Sequence, residues 1–241
     1  MKRLTKFILA DIKNIVRDPM QTLVAIAPLI IIVFLRIALP IAREKIFDFF
    51  QYDILTDYPM IVVFFSMLIP MMVGLVIGFV ILDERDESMI TYFAVTPLSK
   101  SGYLFFRVVI PSVFSFVFSL VFYFSFYDIY SFHLVAIVLA SILLSMQAPV
   151  FSLLMASFAT NKVEGLAVGK LLGMVLLPPI AYYILNSSWG LLFLAVPQTW
   201  VVEIVINKHL DWFIGTLFLL ATVIHVSVLY LSVRVFKNRI D

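Results

Sequence analysis

A chain of 241 residues that is 63% hydrophobic and 13% charged, with a mean hydropathy of +1.10, has only about half the charged fraction of a soluble domain. No soluble core hides that much apolar surface, so soluble enzymes and nucleic-acid-binding domains are excluded and an integral membrane protein is expected. The net charge of +2 is too small to name a partner, and the lack of cysteine removes disulfide frameworks and thiolate metal sites.

Residues 1–19 place Leu4, Phe7, Ile8, Ile12, Ile15 and Val16 on one face at helical spacing. Lys6, Lys13 and Arg17 lie opposite, and Asp11 intrudes near the apolar side. This pattern predicts an amphipathic helix lying on the membrane surface, either a plain anchor or a lever touching a cytosolic partner. Its interrupting charges and missing small-residue cleavage site argue against a cleavable signal peptide. Asp18-Pro19 ends it, because the residue before proline avoids helical geometry.

A bilayer core of about 30 Å needs roughly 20 apolar residues in helical form. Six runs qualify: about 21–40, 60–82, 103–126, 134–159, 166–186 and 212–233. Residues 1–241 thus read as one all-α transmembrane domain. Basic residues set its orientation. The N-terminal segment, the second-to-third connection with the start of the third span, the fourth-to-fifth connection with Lys170, and the tail hold all of the 17 basic residues except Arg36, Arg43, Lys45 and Lys208. Both termini are therefore expected in the cytoplasm.

Between the first two spans, residues 41–58 mix carboxylates with aromatics, which suits an outer interfacial loop or short helix. Arg36, near the outer end of the first span, either snorkels to the interface or meets a substrate or an outer carboxylate. Arg107, at the inner end of the third span, is expected to snorkel to phosphate headgroups. Residues 187–211 are apolar but split by Pro197 and flanked by Trp189 and Trp200. They predict a re-entrant or surface-lying helical pair on the outer face before the sixth span.

Gly74 and Gly78 repeat at a four-residue spacing in the second span, as do Gly165, Gly169 and Gly173 in the fifth. Small residues at this spacing allow close helix approach, within one subunit or at a subunit interface. Pro178-Pro179 removes hydrogen bonds in mid-span and predicts a kink or break in the fifth helix, a candidate moving part or pathway lining.

Residues 83–107, DERDESMITYFAVTPLSKSGYLFFR, form a charged island between two apolar runs. Asp83, Glu84, Arg85, Asp86 and Glu87 are expected to face water. Residues 88–95 have the length and composition of a short helix, ended by Thr96-Pro97. A solvated loop and a rigid docking helix are both compatible with this composition.

At these residues the chain resembles the membrane subunit of a type-2 ABC exporter. That family carries a pattern close to E-R/K-E-x-G-T-x-E-x-L-x-x-T-P-L-S before the third span. Glu84, Arg85, Asp86 and Glu87 match its acidic start, Phe93 its apolar position, and Thr96-Pro97-Leu98-Ser99 its end. Tyr103 and Arg107 match the residues that follow. Ser88, Met89 and Thr91 depart from its glycine, threonine and second acid. Asn161-Lys162-Val163-Glu164-Gly165 is similar to the second cytoplasmic contact of a drug-exporter branch that includes fluoroquinolone-type members.

The resemblance implies a permease in the cytoplasmic membrane of a prokaryote. It pairs with a second permease subunit, identical or related, and exports a hydrophobic or amphipathic compound. ATP and Mg²⁺ belong to separate ATPase subunits, so no cofactor and no metal is expected here. Glu84, Arg85, Asp86, Glu87, Thr96, Pro97, Asn161, Lys162 and Glu164 are the implied coupling residues, with the coupling helix between spans two and three. The first and fifth spans, with Gly165, Gly169 and Gly173, are the implied dimer or packing surface. Pro178, Pro179 and Arg36 are candidates for a pathway or hinge.

Enzyme motifs are missing: no HExxH, no GxSxG and no GxxxxGK[ST] phosphate loop occurs. His225, inside the sixth span, reads as packed or hydrogen-bonded rather than as a proton carrier. Two rival readings remain. One is a membrane-embedded lipid-modifying enzyme using the Asp83–Glu87 carboxylates with Mg²⁺; the other is a non-transporting sensor or scaffold.

Overall fold

The computed structural model describes residues 2–94, 99–129, 132–185, 188–206 and 212–240. Its helices are α1 (Lys2–Arg17), α2 (Pro19–Phe50), α3 (Tyr58–Asp86), α4 (Met89–Ala94), α5 (Ser99–Ser125), α6 (Leu134–Phe158), α7 (Lys162–Gly173), α8 (Leu177–Leu185), α9 (Pro197–Ile206) and α10 (Trp212–Ile240). Among the described residues there is no strand. Six helical stretches there are long and apolar enough to cross a membrane: α2, α3, α5, α6, the α7–α8 run and α10. The chain is an all-helical, multi-pass membrane protein.

Burial separates centre from perimeter. The most apolar stretches of α3 and α6 are 61% and 56% buried, those of α2, α7–α8 and α10 only 17%. α3 and α6 come closest where Gly74 has no side chain to hold them apart. A Cβ there would stand 2.5 Å from Phe151 Cβ and 2.6 Å from the Ala148 carbonyl, closer than real atoms pack. On another side of α3, Gly165, Gly169 and Gly173 seat α7 over Leu82, Leu75 and Met71. The glycine ladder of the fifth span is therefore a packing surface inside this subunit.

The first span outruns its expected end at residue 40 and continues to Phe50. Ala42, Arg43, Glu44 and Lys45 are good helix formers, and nothing breaks the helix before Gln51. That residue adopts a left-handed conformation (φ 52°) and returns its N–H to the Phe47 carbonyl, closing the helix. At about 1.5 Å per residue, these 32 residues exceed the bilayer core. The charged last turns stand beyond it.

The fifth span is broken where its prolines predict. Pro178 and Pro179 have no N–H to give the carbonyls of Met174 and Val175, and the chain tightens into a 3₁₀ turn at Met174–Leu176. The segment before the sixth span is a longer 3₁₀ stretch, Ser188–Ala195, followed by α9. Side chains of α9 add hydrogen bonds to its carbonyls. Thr199 Oγ1 donates to Phe193 O at 2.8 Å and Trp200 Nε1 to Leu194 O at 2.7 Å. Non-helical backbone at membrane depth requires such partners. Tyr182 of α8 donates to Glu203 of α9, and Tyr183 to Asp57 at 3.0 Å, which fastens the fifth span to this segment and to the start of α3.

Candidate functional site

At one end of the bundle the foot of α3, the start of α5 and the last turns of α10 come together around Ile81, Tyr103 and Phe236. There, three consecutive residues at the foot of α3 reach three different neighbours. A helix turns about 100° per residue, so Asp83, Glu84 and Arg85 point apart although adjacent in sequence.

Glu84 turns inward and is 5% exposed. It accepts a hydrogen bond from Tyr103 Oη at 2.8 Å and pairs with Arg107. Arg107, fully buried at 0%, also grips Asp11 of α1 with both terminal nitrogens, at 2.8 and 3.1 Å. The planar guanidinium fork fits a carboxylate in this bidentate way. Its central carbon lies 5.4 Å from the Tyr103 ring centre. The cluster thus joins α1, α3 and α5. Two expectations are corrected. Arg107 does not snorkel to headgroups, because two carboxylates hold it inside. Glu84 does not face water, because it continues the buried stripe of Ile77 and Ile81 at helical spacing. Asp11, an oddity on the apolar face of α1, is the anion that α5 requires.

Asp83 and Asp18 share Lys162, at 3.0 and 2.7 Å. Gln21 Nε2 bridges the same two carboxylates at 3.0 and 3.3 Å. Asp18 also caps α2 by accepting from the Met20 and Gln21 N–H groups. The lysine hydrogen bond, aided by these N–H groups, holds the Asp18 carboxyl below its usual range. Asn161 caps α7 through the Glu164 N–H at 3.0 Å. Glu164 returns to the Thr160 N–H and hydroxyl, both at 2.7 Å, a reciprocal cap related to the capping box. Arg85 donates to the Ala156 and Ala159 carbonyls at 3.0 and 2.8 Å, closing the end of α6. The foot of α3 and the 159–162 connection are therefore laced together.

Asp86 and Glu87 are exposed. Ser88 then turns the chain in the left-handed region, φ 57°, where glycine is the comfortable residue. This gives the family pattern's glycine a physical reason and makes Ser88 a strained substitute. α4 follows. Ile90 is 6% exposed and packs with Ile81, Tyr103, Leu104, Ala156 and Phe236, whereas Tyr92 is 66% exposed. One face of this short helix is anchored in the bundle and the other is presented outward. Thr96 and Pro97 lie outside the described residues, and the side chain of Phe93 is likewise not described.

The carboxylates of 83–87 do not converge on a common point. Asp83 and Glu84 each face a cation, and among the described residues no group of three His, Asp or Glu side chains is arranged to hold a metal ion. The geometry does not support the Mg²⁺-dependent lipid enzyme. The residues that tie these helices together and that sequence reasoning left out of its coupling set are Asp11, Asp18, Gln21, Asp83, Ile90 and Tyr103. The available signal was helical register: Ile77, Ile81 and Glu84 share one face, and a carboxylate on an apolar helix face needs a cation.

At the other end, Arg36 pairs with Asp128 through two 2.8 Å hydrogen bonds, the carboxylate option among its readings. Arg43 pairs with Asp53 at 3.0 and 2.9 Å. Beside it lies a cavity of 560 Å³ lined by Leu39, Phe47, Leu55 and Tyr58 among others.

Residues 11–233 match the family model for the Rv2686c-like fluoroquinolones export permease protein. Two curated relatives, the fluoroquinolones export permease proteins MT2760 and Rv2686c of two Mycobacterium tuberculosis strains, are each 29% identical over 208 residues. The alignment covers 84% of this chain and 82% of the relative. No solved structure matches the chain.

Proposed function

Since the chain belongs to the Rv2686c-like export permease family, we propose that it is the membrane subunit of an ATP-driven exporter whose ATPase docks at the basic end. The observation that carries this reading is α4: anchored by Ile90, exposed at Tyr92, and preceded by exposed Asp86 and Glu87. A partner pressing on this element moves the foot of α3, and α3 is tied there to α1, α5, α6 and α7. Asp86 and Glu87 are the direct coupling contacts, with the 160–164 connection as the second. Glu84, Arg85 and Lys162 transmit displacement rather than meet the partner.

In this reading ATP and Mg²⁺ reside on the ATPase, and the basic end lies in the cytoplasm by the distribution of lysine and arginine. The membrane is the cytoplasmic membrane of a prokaryote. The glycine ladder is occupied by α3, so a second permease subunit meets other faces of the first and fifth spans, which are largely apolar and exposed. The cargo is a hydrophobic or amphipathic compound, and the names of the mycobacterial relatives make fluoroquinolones the first to try.

The test is co-purification of an ATPase with the tagged chain, followed by drug efflux with Asp86→Lys and Glu87→Lys together. The ATPase is expected to co-purify with the wild type, and the double variant to lose ATP-dependent efflux while remaining folded. If no ATPase is recovered and the charge reversal leaves efflux unchanged, the coupling role is wrong.

A further inference from the structure

The end of the bundle opposite the coupling residues holds the 560 Å³ cavity beside Arg43 and Asp53. That volume lies within the roughly 300–1,000 Å³ of sites that enclose a drug-sized molecule. α2 gives it Leu39, Pro40, Arg43, Glu44 and Phe47, a spacing that keeps to one face of a helix. This face exists because α2 continues to Phe50 instead of ending with its apolar run. Asp53 and Leu55, in the turn that follows α2, form another wall.

The charges around the cavity do not cancel. Among the described residues, its charged lining consists of Arg43, Glu44 and Asp53. Arg43 holds Asp53 through two hydrogen bonds, at 3.0 and 2.9 Å, so these two form one neutral pair. Arg36, one face-turn further into α2, is likewise taken by Asp128. Glu44 is exposed, and its side chain has no hydrogen bond or ion pair among the described residues. Lys45 stands about 100° further round the helix and is not among the lining residues. The lining therefore carries one uncompensated negative charge. Phe47, about one turn from Glu44 on the same face, is 48% exposed. An exposed aromatic ring attracts ammonium groups through its electron-rich face.

We infer that this cavity binds a small amphipathic cation, its apolar body against Leu39, Phe47 and Leu55 and its ammonium group at Glu44; as a statement about cargo, this rests on the export reading. An organic anion would meet two carboxylates and an arginine that is already occupied. A phospholipid fits no better, because its phosphate needs a free cation and Arg43 is committed to Asp53.

Two soluble probes of similar shape and opposite charge test this: benzyltrimethylammonium and phenylmethanesulfonate. Saturable binding to the chain in phosphatidylcholine nanodiscs is measured by saturation-transfer NMR, with empty nanodiscs subtracted. The cation is expected to bind at least about tenfold more tightly than the anion, one unit of charge near 4 Å being worth about fivefold in either direction. Glu44→Gln is expected to weaken the cation about fivefold, and Glu44→Lys to reverse the preference. Arg43→Gln, which frees Asp53, is expected to strengthen cation binding. Asp48→Asn, one turn further along α2 and outside the lining, is expected to change it far less than Glu44→Gln. No saturable cation binding, equal binding of the two probes, or equal losses from Glu44→Gln and Asp48→Asn (a diffuse acidic surface) would each overturn the inference. The wild-type comparison alone can do so if a variant fails to fold. Failure to recover an ATPase would sink the export reading and leave this binding result standing.

Discussion

Two arginine–carboxylate pairs at opposite ends of the bundle have nearly the same geometry and different surroundings. Arg107 with Asp11 and Arg36 with Asp128 are both bidentate, with shortest contacts of 2.8 Å. The first pair's side chains are 0% and 6% exposed, the second pair's 39% and 62%. In the buried cluster both ions have lost their water, so Asp11 is committed to Arg107, and Arg107 to Asp11 and Glu84. At the outer end water and salt compete, and such a pair contributes about 0–1 kcal/mol. Geometry alone therefore does not tell what a salt bridge does; burial decides it.

The sharpest way to break the comparison is Arg107→Leu, which leaves Asp11 and Glu84 buried without a cation. Removing one partner of a buried pair costs about 3–5 kcal/mol. Thermal unfolding in detergent should fall steeply, and α1 should become accessible to protease. Arg107→Leu with Asp11→Leu and Glu84→Leu should recover much of that loss, since the penalty lies in the uncompensated charges. A triple variant no more stable than the single one would contradict this account.

Tyr103→Phe is expected to cost less. It removes one hydrogen bond to Glu84 and leaves the ion pairs in place, for about 1–3 kcal/mol because the acceptor is buried and charged. Unfolding of the purified chain measures the stability loss. Drug efflux, read beside it, tells whether the cluster is also needed for transmission.

How much of this was legible beforehand depends on what burial needs as input. Six spans, the amphipathic helix α1 and the proline break follow from local rules: apolar length, amphipathic period, a missing N–H. The pairing of Asp11 with Arg107 joins residues far apart in the chain, and no local rule reports it. Glu84 is the instructive case. Four carboxylates in five positions read as one water-facing patch because the eye takes sequence neighbours as spatial neighbours. α3 continues through Asp86, and its rotation sends Glu84 inward while Asp86 and Glu87 stay out. Ser88 was visible as a departure from the family pattern, but its consequence appeared only with its left-handed backbone.

That backbone gives a third, smaller and opposite effect at the buried end. Ser88→Gly relieves a left-handed conformation that costs a side-chain-bearing residue about 1–2 kcal/mol, less the greater entropy that glycine loses on folding, about 0.4–1 kcal/mol. A net gain of roughly 0.5–1 kcal/mol is expected, read as a raised unfolding midpoint. A lowered midpoint would mean that the serine hydroxyl contributes more than the backbone strain costs.

The smallest effect belongs to the outer pair and sharpens the comparison through pH and salt. The Arg36 guanidinium hydrogen-bonds the Asp128 carboxylate and holds its pKa below the ordinary carboxylate range. A carboxyl whose folded pKa is depressed stabilises the fold fully above its unfolded value. That contribution is lost as pH falls through the folded value, so it is intact at neutral pH and fades only in acid. Because the pair is exposed, Asp128→Asn should shift the unfolding midpoint only slightly at pH 7, and the shift should disappear once the pH has fallen below the folded value. Added salt should shrink the difference further, since exposed charges are screened within about a Debye length. The Arg107→Leu difference should persist in the same salt. If salt erased both differences alike, water would reach Arg107 as readily as Arg36, and the contrast between the two ends would not hold.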